Sequence, residues 1–168
     1  MGRPAARLAD SVVHPVPPVI TPGTVGSPTV LIGGKPAWRG LSAAEAAGLL
    51  AMMKEAEIEI KKAETATQLS GNDPLVKANE MKEKAAQAKK LADKIMSYAT
   101  SGTDIHLCLT PLPLPIHGPG VVMNASQTVN INGRPACRSG DIIVEANVLA
   151  NIIPNYITGG MPTVLIGG

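Results

Sequence analysis

Gly26-Ser27-Pro28-Thr29-Val30-Leu31-Ile32-Gly33-Gly34-Lys35-Pro36-Ala37-Trp38-Arg39-Gly40 is the stretch that organises this chain, because its pattern returns twice. The second copy is Ala125-Ser126-Gln127-Thr128-Val129-Asn130-Ile131-Asn132-Gly133-Arg134-Pro135-Ala136-Cys137-Arg138-Ser139-Gly140-Asp141. The third starts at Gly160-Met161-Pro162-Thr163-Val164-Leu165-Ile166-Gly167-Gly168 and lacks a tail. Gly2-Arg3-Pro4-Ala5-Ala6-Arg7-Leu8-Ala9-Asp10 supplies one at the other terminus.

Spacing tests this circular reading. Thr128 and Thr163 stand 35 residues apart, and Thr163 and Thr29 stand 34 apart counted through the termini. The interval from Thr29 to Thr128 is 99, but removing residues 42–100, which differ in composition, leaves 40. Self-similarity at such a period indicates a repeat architecture. Three short units stacked in the open would leave two raw sheet edges, so a closed pseudo-threefold ring is expected, with its first and last strands paired. In each unit a short β-branched run ends in a tight turn. Thr29-Val30-Leu31-Ile32 is apolar on both faces and reads as buried, whereas Thr128 to Gly133 alternates as a strand with one wet face does.

Residues 42–100 are helical by pattern. Ser42-Ala43-Ala44-Glu45 has the form of a capping box. Ala46, Leu49, Met53, Ala56, Ile60, Ala63 and Thr67 follow at steps of three and four, on one helix face. Ser70-Gly71-Asn72 stops the first helix near residue 69, and Asp73-Pro74 caps a second running to about residue 98. The stripe expected on the second helix is Ala78, Met81, Ala85, Ala88, Ala92, Ile95 and Ala99, and the alanines would let an antiparallel hairpin pack closely. Nine lysines and nine acids give this segment no net charge, which reads as a solvated face or as a docking arm for a partner protein.

The segments flanking the repeats read as loop. Residues 10–26 are rich in Pro, Gly, Val and Thr and exclude a regular helix. Residues 101–120 are also expected as loop, with a polyproline-like backbone at Pro111-Leu112-Pro113-Leu114-Pro115. In the apolar residues 142–157, Ile142-Ile143-Val144 is strand-like, and residues 148–153 are equally readable as a helical turn.

Composition bounds the function. The chain has 168 residues and no Phe, so Val, Ile, Leu, Met and Ala must make a thin core. A net charge of +2 gives no electrostatic argument for nucleic acid. No apolar run approaches a membrane span, and residues 1–8 have no signal-peptide core. All five arginines lie in the repeat units, either bracing turns at a repeated position or forming a rim that meets a partner.

The histidines suggest one site. His14, His106 and His117 all lie in segments that precede the repeated strands, and Cys108 is two residues from His106, on the same side of an extended backbone. Three imidazoles and one thiolate make a closed tetrahedral set suited to structural zinc. Cys137 competes as the thiolate, but its slot holds Ala6 and Trp38 in the other units, which reads as packing. The spacing is not a strong zinc signature, and ordinary loop histidines are the alternative. Gly-rich phosphate loops, His-Glu-x-x-His and Gly-x-Ser-x-Gly are missing. A metal hydrolase would have only Glu145 as a nearby general base. Asp10, Asp104 and Asp141 look like turn residues.

Arg3-Pro4-Ala5-Ala6-Arg7 contains the Pro-Ala-Ala-Arg tetrad, and Gly-Ser-Pro-Thr-Val-Leu-Ile-Gly-Gly-Lys-Pro-Ala accompanies it, so the chain resembles the PAAR-repeat family outside residues 42–100. The resemblance implies an α+β protein: a small conical pseudo-threefold β structure from residues 1–41 and 101–168, closed across the termini, with an inserted helical hairpin. It implies a non-catalytic tip that caps a trimeric VgrG-like spike of type VI secretion or a related contractile injection system. Such a tip sharpens the spike for mechanical membrane puncture and helps load effectors. It also implies one structural zinc near the apex, held by His14, His106, Cys108 and His117. The third unit's loop has neither His nor Cys, which leaves the fourth ligand as Cys108, Cys137 or absent. The chain is expected to be monomeric alone, cytoplasmic when assembled and then translocated without a signal peptide. The hairpin is unlike a minimal PAAR domain, and recruitment of an effector or chaperone is the alternative role.

Overall fold

A computed structural model describes residues 2–13, 20–22 (backbone), 26–107, 118–146 and 155–167. In chain order the elements are β1 (Arg3–Ala5), β2 (Ser11–Val13), β3 (Ile20–Pro22), β4 (Leu31–Ile32), β5 (Lys35–Pro36), α1 (Ala43–Leu69), α2 (Pro74–Ala99), β6 (Ile105–Leu107), β7 (Pro119–Val122), β8 (Asn130–Ile131), β9 (Arg134–Pro135), β10 (Ile142–Glu145), β11 (Asn155–Ile157) and β12 (Met161–Ile166). The architecture is α+β: two helices and a curled antiparallel sheet of six strands in the order β3-β2-β11-β10-β7-β6, with three two-stranded ribbons. No helix among the described residues is long and apolar enough to cross a membrane.

The quoted stretch folds as the ribbon β4-β5, with Leu31 opposite Pro36 and Ile32 opposite Lys35. Gly33 and Gly34 both have positive φ, the two-residue turn whose twist suits a hairpin. The second copy makes the same ribbon, β8-β9, with Asn132 and Gly133 at the positive-φ positions. The third copy extends as β12 and pairs antiparallel with β1 across the termini. Burial of the first copy differs from expectation. Ile32 is buried, but Leu31 is 63% exposed, so this run has a wet face like its counterpart, because a two-stranded ribbon has only one side against the core.

The tails after these turns meet one another. Ala6 N–H donates to the Cys137 carbonyl (2.9 Å), Cys137 N–H to that of Trp38 (2.9 Å), and Trp38 N–H to that of Ala6 (3.0 Å), a complete cycle of three backbone hydrogen bonds. Bridges Ala5↔Arg138, Arg7↔Ala37 and Arg39↔Ala136 flank it. Ala5, Ala37 and Ala136 are fully buried with Ile32, Ile131 and Ile166 on one side of the cycle. Ala6, Trp38 and Cys137 are buried on the other with Val12, Val122, Ile143 and Ile157.

From each tail the chain turns through an arginine and an aspartate. Arg7 N–H, Arg39 N–H and Arg138 N–H each donate to a carboxylate oxygen at 2.8 Å, of Asp10, Asp104 and Asp141 respectively. The aspartate N–H returns a bond to the arginine carbonyl at 3.0 Å in all three. The arginines are therefore braces. Arg3 pairs with Asp141 as well, and Arg134 with Glu45, so all five arginines are in ion pairs.

After each aspartate comes a strand: β2, β6 and β10. This corrects the expectation of loop over residues 10–26 and 101–120, where β2, β3, β6 and the first half of β7 form, and it makes strand of Ile142–Glu145. Proline does not prevent this, since Pro22 lies in β3, a sheet edge where no ladder donor is demanded. The segments 111–115 and 148–153 lie outside the described residues.

Between Arg39 and Asp104 stands the hairpin. Ser42 and Glu45 form the expected capping box, and Asp73 accepts from Leu75 N–H and Val76 N–H ahead of the first-turn Pro74. Gly71 and Asn72 take positive φ between the helices, which ends α1 where the sequence says. The stripe on α1 faces inward as expected, with Leu49, Ala56, Ile60 and Thr67 buried. That on α2 is corrected in part: the expected Ile95 is buried and Ala92 packs against the core, but the rest of the seam differs. Gln87, Leu91, Ile95 and Tyr98 are buried, while Ala78, Met81, Ala85 and Ala99 are exposed. The helix is turned so that larger side chains fill the seam, and burying Leu91, Ile95 and Tyr98 removes more apolar area than alanines would. Lys84 crosses the seam to Glu64 at 2.8 Å. At its base the hairpin shares a core with the sheet, where Leu49, Leu91, Ile95 and Tyr98 pack with Leu41, Ile105, Val121 and Ala146.

Candidate metal centre

Four antiparallel pairings fix where the site residues sit. β2, β6 and β10, which follow the three Arg-Asp turns, run in the same direction in the six-stranded sheet. Their last residues, Val13, Leu107 and Glu145, therefore point toward one end of it. His14 and Cys108 come directly after two of these strands, and His117 comes shortly before β7. All three lie outside the described residues, so His106 is the one expected ligand whose surroundings are described.

His106 is fully buried in β6. Its register partner is Gly120 on β7, and the register partner of Gly120 on the other side is Glu145 of β10. Histidine and glutamate thus flank a glycine on the intervening strand, and His106 Nε2 lies 3.2 Å from Glu145 Oε1. The glycine is required by close approach. A Cβ at position 120 would stand 2.8 Å from Glu145 Cγ and 2.9 Å from Ile143 Cγ2. Exposure of the two side chains is 0% and 3%, so the pair is dry, and a buried carboxylate of this kind is retained only against a partner. Exposed Leu107 follows His106, as strand alternation demands.

Cys137 is not brought to this end of the sheet. It is buried in the central core beside Trp38 and Ala6 and is a free thiol. Burial pushes its pKa well above the ordinary value, and the Asp141 and Asp104 carboxylates push the same way. A thiol held protonated in an apolar core is a packing group. Among the described residues no group of three or more His, Cys, Asp or Glu side chains is placed to hold a metal ion.

Sequence reasoning named Asp104 and Glu145 without finding their partners. The signal for Asp104 was the fixed Arg-x-x-Asp step in two units, which left Arg39 lacking an aspartate until one is counted after the hairpin. No local signal links Glu145 to His106, because their contact depends on two strand pairings.

The fold and the site define an α+β protein in which an antiparallel sheet carries a buried histidine-carboxylate pair beside a cyclic junction of three backbone tails. A scan against protein-family models and searches of curated proteins and of solved structures each returned no match.

Proposed function

We propose that the chain is a PAAR-type spike tip: a pseudo-threefold β cone, closed by β1 and β12, that caps a trimeric VgrG-like spike and has no catalytic activity of its own. The observation that carries this reading is the hydrogen-bond cycle through Ala6, Trp38 and Cys137, in which each tail donates to one neighbour and accepts from the other. One chain then offers a trimer three similar faces, which is what capping a threefold axis demands. Assembly takes place in the cytoplasm, and the tip leaves with the spike, puncturing the target membrane mechanically. Neither nucleic acid nor a second copy is needed.

Zinc belongs to this proposal. His14, His106, Cys108 and His117 would hold one ion, and the described part of the set fits. His106 is dry, and a carboxylate oxygen stands 3.2 Å from one of its ring nitrogens. The ion would tie together the ends of strands that the small core holds weakly.

A second reading makes the hairpin an adaptor for an effector or chaperone. The observation favouring it is exposure of Leu69 (84%), Leu75 (78%) and Met81 (66%) around the end of the hairpin far from the sheet. Light scattering of the chain mixed with the trimeric spike protein of its own secretion system tests the tip reading, with one chain per trimer expected and failure to bind sinking it. Deleting residues 42–100 separates the two roles: a plain tip still supports secretion, and an adaptor loses its cargo.

A further inference from the structure

Met161 breaks the pattern of the repeats. Ser27 and Ser126 hold equivalent places at the start of the first two copies, and the third copy puts Met161 there. Each serine caps its own turn, accepting from Val30 N–H (2.9 Å) and Val129 N–H (3.1 Å). Each hydroxyl also donates into the neighbouring copy, to Asn132 Oδ1 and to the Gly167 carbonyl. Met161 reaches across as well, with sulfur in place of a hydroxyl. Its Sδ stands 3.2 Å from Arg7 Nη1 and lies against Gly33, where an added Cβ would be 2.8 Å from it. We propose that Met161 is an oxidation site that controls the seam between β1 and β12: a hydroperoxide converts its thioether to the sulfoxide and loosens β12.

β1 and β12 lie far apart in the chain, so strand pairing and side-chain contacts must hold them together. The pairing is already irregular at this point, because Pro4 stands opposite Leu165 and Ala5 opposite Met161, with a register shift between them. Arg7 has Nη1 to spare for the sulfur, its Nε and Nη2 being committed to Asp10 at 3.1 and 2.9 Å. Met161 packs against the core that contains Ala5, Ile32 and Ile166, yet it is only partly buried, so a small oxidant can reach a sulfur that still carries packing. In the reaction a sulfur lone pair attacks the distal oxygen of ROOH and the O–O bond breaks. The remaining oxygen takes the proton and leaves as ROH, so sulfur loses two electrons and the peroxide gains them. The product places a polar S–O group in an apolar contact. It also needs room, and Gly33 comes too close to leave any, so the Gly33-Gly34 turn is displaced from β12. Serine is inert to this chemistry, which confines the sensitivity to the third copy.

The inference does not depend on the spike or zinc readings and is tested on the full chain alone. Wild type and Met161→Leu, which keeps the apolar volume and removes the sulfur, are treated with hydrogen peroxide, and the oxidised residues are located by peptide mapping. Met161 is expected to convert along with the exposed Met81 and Met96. The melting temperature of the wild type should then fall by about 4 °C or more, and that of Met161→Leu by less than half as much. Hydrogen exchange of the oxidised wild type should quicken in β1 and β12 and stay unchanged in the β8-β9 ribbon. Treatment with methionine sulfoxide reductase should restore the wild-type values. A Met161 that stays reduced while Met81 and Met96 are oxidised overturns the proposal. So does an equal loss in both proteins, or exchange that quickens equally in β8-β9 or not at all. Should Met161→Leu fail to fold, peptide mapping and hydrogen exchange on the wild type decide alone.

Discussion

Arg39 and Asp104 are 65 residues apart, yet they make the same reciprocal turn that Arg7 and Asp10, or Arg138 and Asp141, make at a separation of three. The helical hairpin enters and leaves the sheet within that turn. Its ends are held together by a bidentate pair, Arg39 Nε and Nη2 to Asp104 at 3.0 and 2.7 Å, whose side chains are only 8% and 1% exposed. An insertion is tolerated here because the turn closes without help from the residues it replaces.

Removing one partner of this pair strands the other charge in the core. Asp104→Ala is expected to destabilise by about 3–5 kcal/mol, the usual cost of breaking a buried pair. Urea denaturation measures it, and a loss below about 1 kcal/mol would show that the turn does not depend on the ion pair.

Ala9 has φ of 67°, a left-handed conformation that costs a residue with a Cβ roughly 1–2 kcal/mol. Gly140 occupies the corresponding place before Asp141, with φ of 80°. Ala9→Gly should therefore raise stability by up to about 1 kcal/mol, the strain relieved less the entropy gained by the unfolded chain. A lower melting temperature for this variant would contradict the equivalence of the two turns.

The face that α2 turns inward is tested by a pair of truncations. Leu91→Ala should cost about 2–5 kcal/mol, since Leu91 is 4% exposed within the shared core. Met81→Ala should lie within about 0.5 kcal/mol of the wild type. The reverse order would restore the alanine stripe as the packed one.

Glu45 links the hairpin to the third unit's neighbour in space, accepting from Arg134 while closing the capping box with Ser42. Burial alone would raise its pKa, but the hydrogen bonds from Arg134 and Ser42 outweigh burial and hold it below the ordinary glutamate value. A folded-state pKa below the unfolded one gives stability that is complete above the unfolded value and lost as pH falls through the folded value. Glu45→Gln is thus expected to be less stable than the wild type at pH 7, by about 1 kcal/mol. The gap should narrow as pH drops below about 4. Urea midpoints across this range check it, and a constant gap would place the effect outside ionisation.

Cys137 should resist alkylation at pH 8 in the folded chain and react on unfolding, because the thiolate is the reactive form and burial disfavours it. Peptide mapping after iodoacetamide treatment locates the modification. Rapid labelling of Cys137 in the native protein would remove it from the core.

The chain's local chemistry was legible in the sequence. Ser42, Gly71, Asp73 and Pro74 act on backbone groups within a few residues of themselves, so the helix ends could be read without knowing what the helices touch. Gly33-Gly34 and Asn132-Gly133 set their turns in the same way, and the repeated Arg-x-x-Asp step announced two of the three braces. Tertiary structure decided whatever depends on residues distant in the chain. The seam of α2 was misread in part, because the expected stripe through Ile95 and a Gln87-Leu91-Tyr98 face beside it have equally good helical spacing, and only packing against α1 and the sheet selects between them. Strands β2, β3, β6 and β7 were hidden by proline and glycine within β3 and β7 and in the segments around β2 and β6, whose local preference for loop is overridden once neighbouring strands supply the hydrogen bonds. Asp104 found Arg39 only because the hairpin folds back on itself. Glu145 found His106 because two strand registers place both beside Gly120, and no pattern within either strand encodes that meeting.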